Sequence, residues 1–240
     1  MERYKGKSPA QEKKKKRLKF SLESFQKEYE SDITEVVVAG RKFRLMLPRS
    51  IERFIDSEDV FHDFPLWAKI WEASWVLADY LAGMPPDPER RFLEIGAGVG
   101  LVGIVAASFG HHILLTEYNP HSLNFARANA LLNNCPTLEI MKLDWHVPQL
   151  KDRFDVIVGS EVVYHKRDFD PLRNLFRSYL MPGGEIILAA GMRLISAEFF
   201  KSMQQSYNIQ AQQKVLRSAE EEIRVVLCRM TPYSKKFEVS

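Results

Sequence analysis

The sequence predicts an α/β fold: a Rossmann-like, mostly parallel seven-stranded sheet with one antiparallel strand and helices on both faces. Three observations predict it. Apolar segments of strand length alternate with helical segments from residue 91 onward, which is typical of successive βαβ units. A glycine-rich turn joins the first of these strands to the first helix. The last two strands have no helix between them, so one strand is expected to run antiparallel.

The composition is that of a globular protein with one main domain. Of the 240 residues, 45% are hydrophobic and 27% are charged, which excludes a disordered or collagen-like chain. The two cysteines, Cys135 and Cys228, exclude a disulfide framework and favour a reducing compartment, predicted to be the cytoplasm. No apolar run approaches the roughly 20 residues that span a bilayer, so no membrane partner is expected. We also expect a monomer.

The basic character of the chain lies in its N-terminal tail. Residues 1–19 carry seven Lys and two Arg against two Glu, a net +7, so the remainder of a chain of net +3 carries −4. We predict that residues 1–20 are a disordered tail, since such a segment buries little apolar surface. The run of charges at 13–17 could contact nucleic acid or an acidic partner. No aromatic residue interrupts that run, which disfavours a nucleic-acid partner.

Residues 21–64 are predicted to form an N-terminal extension, and residues 65–240 the main domain. Within the extension, apolar segments at 33–38 and 42–47 flank Ala39-Gly40-Arg41, a pattern typical of a β-hairpin.

The main domain is predicted to begin with a helix at Pro65. Trp67, Trp71 and Trp75 recur at a spacing of four, and Gly83 ends the helix. That spacing places the three indoles on one face, and we predict Trp67 and Trp75 to be core residues.

The remaining elements follow from apolar periodicity and from turn residues. Strands are predicted at 91–95, 112–116, 137–143, 154–159, 184–190, 209–216 and 223–230. Helices are predicted at 101–109, 120–133, 168–180 and 196–205.

The glycine turn follows the strand at 91–95 and contains Gly96, Ala97, Gly98 and Gly100. Glycines there allow a sharp turn and a close approach to a ligand at the carboxyl edge of the sheet. Two cofactors remain possible, because residues 98–103 also match the GxGxxG fingerprint of dinucleotide sites. Glu117 ends the next strand and could accept hydrogen bonds from a ribose in either case.

Three features favour S-adenosylmethionine over a dinucleotide. Glu94, two residues before the first glycine, suits a sulfonium or ammonium better than a pyrophosphate. The late hairpin departs from a six-stranded parallel dinucleotide domain. Asp144 and Trp145 follow the third strand, where an indole could stack on a purine and a carboxylate could meet its amino group.

The sequence resembles the class I, seven-β-strand S-adenosylmethionine-dependent methyltransferases, within the subgroup that includes many protein-lysine methyltransferases. The resemblance spans about residues 65–230. The segments that carry it, in order, are Trp71-Glu72-Ala73-Ser74, Leu93-Glu94-Ile95-Gly96-Ala97-Gly98-Val99-Gly100, Thr116-Glu117-Tyr118, Leu143-Asp144-Trp145 and Gly159-Ser160-Glu161-Val162-Val163-Tyr164.

The resemblance implies S-adenosylmethionine as cofactor, with S-adenosylhomocysteine as product. Together with the residues argued above, it gives a predicted cofactor site composed of Trp71, Glu94, Gly96, Ala97, Gly98, Gly100, Glu117, Tyr118, Asp144, Trp145 and Ser160. Two positions depart from the commoner subgroup pattern, since Glu117 and Glu161 stand where Asp is frequent.

Glu161 and Tyr164 are predicted to be the catalytic residues. They match the Asp/Glu-x-x-Tyr motif of the subgroup and follow the apolar strand at 154–159, beside the cofactor. A lysine amine has an ordinary pKa of about 10.4 and arrives as ammonium. A carboxylate and a phenol at the pocket mouth could orient it and pass its proton to water.

The predicted function is methyl transfer to a nitrogen, that of a protein lysine side chain, with a protein substrate as partner. A small-molecule amine substrate, a nicotinamide-dependent oxidoreductase and a non-catalytic binding module are the alternatives. A nucleic-acid methyltransferase that modifies base amino groups often carries an Asn/Asp-Pro-Pro-Tyr/Phe motif after the fourth strand. The segment from Ser160 to Tyr164 contains no proline, which disfavours that class. The six histidines form no metal-ligand spacing, so no metal is expected.

Overall fold

The computed structural model describes residues 20–55, 64–217 and 222–233. Residues 1–19 of the tail predicted at 1–20 therefore lie outside the described residues, as do positions 56–63 of the predicted extension. None of the described helices is long and apolar enough to cross a membrane.

The described part of the main domain folds as a seven-stranded sheet with helices on both faces, which confirms the predicted fold class. After the two strands of the N-terminal extension, the strands are β3 (Arg91–Glu94), β4 (His112–Glu117), β5 (Glu139–Lys142), β6 (Phe154–Ser160), β7 (Leu180–Gly191), β8 (Tyr207–Arg217) and β9 (Glu222–Pro232). Spatially they run β5-β4-β3-β6-β7-β9-β8, and β9 runs antiparallel to both of its neighbours, β7 and β8. The helices are α2 (Glu72–Ala82), α3 (Leu101–Ser108), α4 (Pro120–Leu132), α5 (Phe169–Tyr179) and α6 (Leu194–Met203).

Alternating residues of the central strands supply two separate cores. Phe92 and Val156 face the side covered by α2 and α3, whereas Leu93 and Ile157 face α5 and α6. This alternation is the period of two expected of strands that are buried on both faces. The carboxyl ends of β3, β4 and β6 consequently meet at one edge.

Two predicted boundaries were wrong. The leading helix does not run from Pro65: residues Leu66–Ala68 form a single 3-10 turn, the backbone is extended at Trp71, and α2 begins at Glu72. β7 begins at Leu180 instead of 184, because Leu180 pairs with Phe154 across an irregular register before regular pairing resumes.

The N-terminal extension contains a short helix and the predicted hairpin. Helix α1 (Leu22–Glu28) precedes β1 (Ser31–Val38) and β2 (Arg41–Pro48), which pair antiparallel. The Asn129 side chain of α4 accepts a hydrogen bond from the Met46 amide at 2.7 Å. It donates to the carbonyl oxygens of Met46 at 3.2 Å and Val99 at 2.9 Å. One buried amide therefore joins the hairpin to the glycine turn.

Gly103 is where α3 comes closest to the sheet. A Cβ atom built there would lie 1.7 Å from Leu115 Cδ1 and 2.5 Å from a carboxyl oxygen of Glu94. The third glycine of the GxGxxG pattern thus serves close helix–strand packing, one of the roles that a dinucleotide fingerprint assigns to it.

We expect Gly103→Ala to destabilise the protein by about 2 kcal/mol, because overpacking outweighs the gain in helix propensity. Thermal unfolding should show a Tm lower by about 4–8 °C for a domain of this size. Gly83→Ala is the matched control, since its Cβ would meet the backbone oxygens of Asp79 and Tyr80 at an ordinary 3.6 Å. Equal Tm values for the two variants would contradict the packing argument.

Candidate active site

A pocket of about 410 Å³ opens at the carboxyl ends of β3, β4 and β6. This is the size range of small-molecule sites and the position at which open α/β sheets bind ligands. The predicted site residues that line it are Trp71, Gly96, Ala97, Gly98, Glu117, Tyr118, Asp144, Trp145, Ser160, Glu161 and Tyr164.

The glycine turn forms the floor of this pocket. Gly96 and Gly98 have φ angles of +62° and +56°, in the left-handed region that favours glycine. A Cβ at Gly96 would lie 3.1 Å from Val162 Cγ1 and 3.2 Å from Trp145 Cζ2. The turn is therefore a cradle from which side-chain atoms are excluded.

Glu117 is held at the end of β4 by three backbone amides. Its carboxylate accepts hydrogen bonds from the amides of Gly98 at 2.9 Å, Tyr118 at 2.7 Å and Asn119 at 3.0 Å. Burial raises the pKa of Glu117, and these hydrogen bonds oppose that shift. A carboxylate offers about four acceptor positions, so capacity remains for a ligand hydroxyl.

Two of the predicted aromatic residues, Trp145 and Tyr118, differ in how they face the pocket. The Trp145 indole packs over Gly96, inside the site, and Asp144 beside it accepts a hydrogen bond from the His146 amide at 2.9 Å. Tyr118 is exposed at the rim, where the Lys142 ammonium lies 4.6 Å from its ring centroid.

The three tryptophans that were predicted to share one helix face do not lie together on one side of a helix. Trp71 lines the pocket, and its indole Nε1 donates to the Leu66 carbonyl at 2.8 Å. Trp67 packs against Phe54 and Phe125, as a core residue would, and also lines the pocket. Trp75 is 37% exposed, so its predicted core role was wrong. The break before α2 ends the helical spacing on which that prediction depended.

Glu161 and Tyr164 lie together at one side of the pocket. Glu161 has a φ of +50° and is 8% exposed, and its amide donates to the Ala189 carbonyl at 2.9 Å. Burial raises the pKa of Glu161, and the Arg193 charge acts in the opposite direction. Burial, followed by the charge of Glu161, raises the pKa of Tyr164 well above its usual value, so the phenol stays protonated.

Two residues predicted to bind cofactor lie elsewhere. Glu94 is fully buried and points into the packing between β3 and α3, against Gly103, not into the pocket. Gly100 has a φ of +92° and is buried against Ala126 and Ile104, where a Cβ would approach to 3.2 Å and 3.3 Å. Gly100 therefore serves the entry into α3 and its contact with α4.

Glu94 supports a prediction about stability and pH. No group among the described residues lies in hydrogen-bonding geometry with the carboxyl oxygens of Glu94. Burial raises the pKa of Glu94 well above its ordinary value. The folded protein holds a proton there that the unfolded chain releases near pH 4.3. This contribution to stability is complete below that pH and is lost as pH rises toward the folded pKa.

Glu94→Gln removes this titration and keeps the size of the side chain. We expect the free energy of unfolding of the variant, relative to wild type, to increase as pH is raised from about 4.5 to 8. Urea unfolding at several pH values measures this difference. A difference that is the same at every pH would show that Glu94 does not titrate abnormally.

Two residues at the site were not singled out from sequence: Ser74, which lines the pocket, and Arg193, which pairs with Glu161. The Ser74 hydroxyl shares a hydrogen bond of 2.8 Å with that of Ser160, across the gap between α2 and β6. Ser74 belongs to the Trp71-Glu72-Ala73-Ser74 segment, and its place in that segment of the family resemblance could have indicated a role at the site. Arg193 pairs with Glu161 but follows it by 32 residues, and no local pattern marks it.

The described residues of the pocket fit S-adenosylmethionine. The cradle at Gly96 admits a ligand close to the backbone, Glu117 can accept from ribose hydroxyls, and Trp145 offers an apolar face. Across residues 20–55, 64–217 and 222–233, no group of three or more His, Cys, Asp or Glu side chains is arranged to hold a metal ion.

The sheet order and this pocket define the fold of a class I S-adenosylmethionine-dependent methyltransferase. Solved structures share it: a Pyrococcus horikoshii TYW2 in complex with MeSAdo matches with a TM-score of 0.57 at 16% identity, over 85% of this chain and 73% of that one. A ribosomal protein L11 methylase from Lactobacillus delbrueckii matches with a TM-score of 0.54 at 20% identity, over 68% and 80%.

A family model described as lysine methyltransferase matches residues 62–206, and the chain belongs to that family. The cofactor of the family is S-adenosylmethionine. This membership confirms the resemblance seen in the sequence and disfavours the oxidoreductase alternative.

Curated relatives differ in the residue that they modify. The chain is 36% identical to the histone-arginine methyltransferase METTL23 of Mus musculus, over 43% of this chain and 44% of the relative. It is 29% identical to EEF1A lysine methyltransferase 3 of Xenopus tropicalis, over 66% and 72%. It is 30% identical to the protein N-lysine methyltransferase METTL21A of Danio rerio, over 60% and 69%. The chain spans about half the length of the first curated relatives that it matches, from 44% to 58%.

Proposed function

We propose that this protein transfers a methyl group from S-adenosylmethionine to the side-chain amine of a lysine in a protein substrate. The observation that carries the proposal is that a buried carboxylate and a protonated phenol, Glu161 and Tyr164, line the same pocket as the glycine turn. The relatives named as protein lysine methyltransferases support a protein as the partner.

Different residues of the pocket would bind the cofactor and the substrate amine. Glu117, Trp145 and the Gly96–Gly98 backbone would hold the cofactor. When bound, S-adenosylmethionine supplies a methyl group on a positively charged sulfur. Glu161 and Tyr164 would orient the amine in line with the methyl group, which must lie about 3 Å from the nucleophile.

The proton of the substrate determines what Glu161 and Tyr164 must do. A lysine arrives as ammonium and must release a proton before its lone pair can form the new N–C bond. Glu161 would accept that proton or pass it to water at the pocket mouth. Tyr164 keeps its own proton, so it would serve as a hydrogen-bond partner and not as a base.

The proposal also covers the compartment, the oligomeric state and the extent of the catalytic domain. Cys135 and Cys228 are both free thiols, which is compatible with activity in a reducing compartment such as the cytoplasm. We also propose that the protein acts as a monomer, that residues 65–240 form the methyltransferase domain, and that nucleic acid is not its substrate.

Mass spectrometry of a labelled product tests the proposal. The full chain is incubated with methyl-labelled S-adenosylmethionine and a protein extract, and the labelled residue is identified after digestion. Label on lysine is the expected result. Label on arginine or histidine would contradict the target residue, and label confined to the low-mass fraction would indicate a small amine instead. A Glu161→Gln sample prepared in parallel gives the background.

A further inference from the structure

The last residue of β7, Gly191, and Arg193 in the loop that follows it hold the two carboxylate oxygens of Glu161. The Gly191 amide donates to Glu161 Oε1 at 2.6 Å, and the Arg193 guanidinium pairs with Oε2. The direction of this carboxylate is therefore determined by the end of the neighbouring strand β7 and the loop after it, and not by the segment that contains Glu161.

The Arg193 cation reaches both members of the predicted catalytic pair. Its guanidinium carbon lies 5.1 Å from the Tyr164 ring centroid while its nitrogen bonds Glu161. The Arg193 side chain is 40% exposed and the Glu161 side chain is 8% exposed. Arg193 thus links a buried carboxylate to solvent, at the side of the pocket assigned to the substrate.

We propose that Arg193 is a positioning residue that orients Glu161 and offsets its charge, so that the substrate ammonium is held less strongly and loses its proton more readily. This inference rests on the proposed function. A carboxylate that is already paired holds an ammonium less strongly than a free one, which favours release of the proton before attack. A guanidinium substrate is always charged and would need a free carboxylate. The pair therefore favours lysine over arginine.

Three charged or titratable groups influence Glu161 from different elements: Arg193 from the loop after β7, Glu72 from the start of α2, and Tyr164 from its own segment. Burial and the Glu72 charge raise the pKa of Glu161, and the Arg193 charge lowers it. Loss of the Arg193 charge is expected to raise the pKa of Glu161 and also that of a substrate ammonium beside it. Both changes move the rate profile toward higher pH.

The kinetic test compares four forms of the full chain: wild type, Arg193→Gln, Arg193→Lys and Arg173→Gln. Arg173 is a matched control, since it is 39% exposed and pairs with Asp170 on α5, outside the pocket. The probes are labelled S-adenosylmethionine and a peptide library with one central lysine and randomised flanks. For Arg193→Gln we expect kcat to fall about tenfold, KM not to rise, and the ascending limb of the pH–rate profile to move up by about one unit. Arg193→Lys should restore most of both changes.

A second measurement needs no substrate. Proteins labelled with ¹³C at the glutamate carboxyl are titrated by NMR, and the Glu161 signal is assigned from the Glu161→Gln variant. A higher Glu161 pKa in Arg193→Gln, and a smaller change in Arg193→Lys, are the expected results. An unchanged Glu161 pKa would overturn the inference. So would a rise in kcat/KM with an unmoved pH profile, which would make Arg193 a competitor of the substrate cation.

The two proposals can fail separately. A wild-type protein that methylates no lysine peptide would count against the proposed function, and the NMR titration would still decide the role of Arg193. A wild-type protein that methylates lysine, with an Arg193→Gln variant that matches it in kcat and pH profile, would remove only the inference.

Discussion

Replacing Glu161 with glutamine is expected to lower the rate of methyl transfer about 100-fold or more, with affinity for S-adenosylmethionine within a few-fold of wild type. Glutamine keeps the size of the side chain and can still accept the Gly191 amide, but it loses the charge that pairs with Arg193. Loss of a positioned proton-transfer group typically produces an effect of this size. Tyr164→Phe removes only the hydroxyl and should reduce the rate comparably.

Calorimetry for cofactor binding and initial rates on lysine peptides measure the two effects separately. Tyr233→Phe is the control for loss of a phenol, because Tyr233 is exposed and bonds only the Gln204 carbonyl among the described contacts of its hydroxyl. Wild-type rates in both Glu161→Gln and Tyr164→Phe would contradict the lysine mechanism. Loss of cofactor binding in both would assign these residues to the cofactor instead.

Replacing Glu117 with alanine is expected to weaken binding of S-adenosylmethionine about 100-fold. Charge-assisted hydrogen bonds to ribose hydroxyls are worth about 1.5–3 kcal/mol, or about tenfold or more in affinity. The variant also leaves the amides of Gly98, Tyr118 and Asn119 without their acceptor, so the glycine turn loses one of its hydrogen bonds to β4 and keeps the one from the Ala97 amide to the Thr116 carbonyl. The second effect adds to the first.

Titration of the folded variant with S-adenosylhomocysteine gives the affinity directly. Glu117→Gln should bind better than Glu117→Ala, because its amide oxygen keeps one acceptor for the backbone. Glu222→Ala, at an exposed position on β9, serves as the control and should bind as wild type does. Unchanged affinity in a folded Glu117→Ala protein would exclude Glu117 from the cofactor site.

The βαβ order, the hairpin and most of the pocket could be predicted because each depends on local patterns. Apolar periodicity defines the strands, and the carboxyl ends of parallel strands meet wherever such strands are neighbours. Residues at the ends of those strands or directly after them, such as Glu117 at the end of β4 and Glu161 after β6, are thereby brought to one edge.

The errors came from features that only tertiary packing decides. Glu94 and Gly100 sit within the motif, but the side chain of one and the α-carbon of the other face α3 and α4 instead of the pocket. The spacing of Trp67, Trp71 and Trp75 suits a continuous helix, whereas the chain turns at Leu66–Ala68 and starts again at Glu72. Arg193 lies near Glu161 only because β7 pairs with β6.

The side chain of Asn129 couples local unfolding of the N-terminal hairpin to that of the glycine turn. Its amide bonds Met46 of the hairpin and Val99 of the glycine turn at the same time, with no solvent access. If the hairpin separated from α4, the Asn129 amide would lose its hydrogen bonds to Met46, and its bond to Val99 of the glycine turn would be weakened as well. A buried polar group that is left unpaired is disfavoured. Hairpin and turn therefore belong to one cooperative unfolding unit, and their slowest amide protons should exchange with a common free energy of opening.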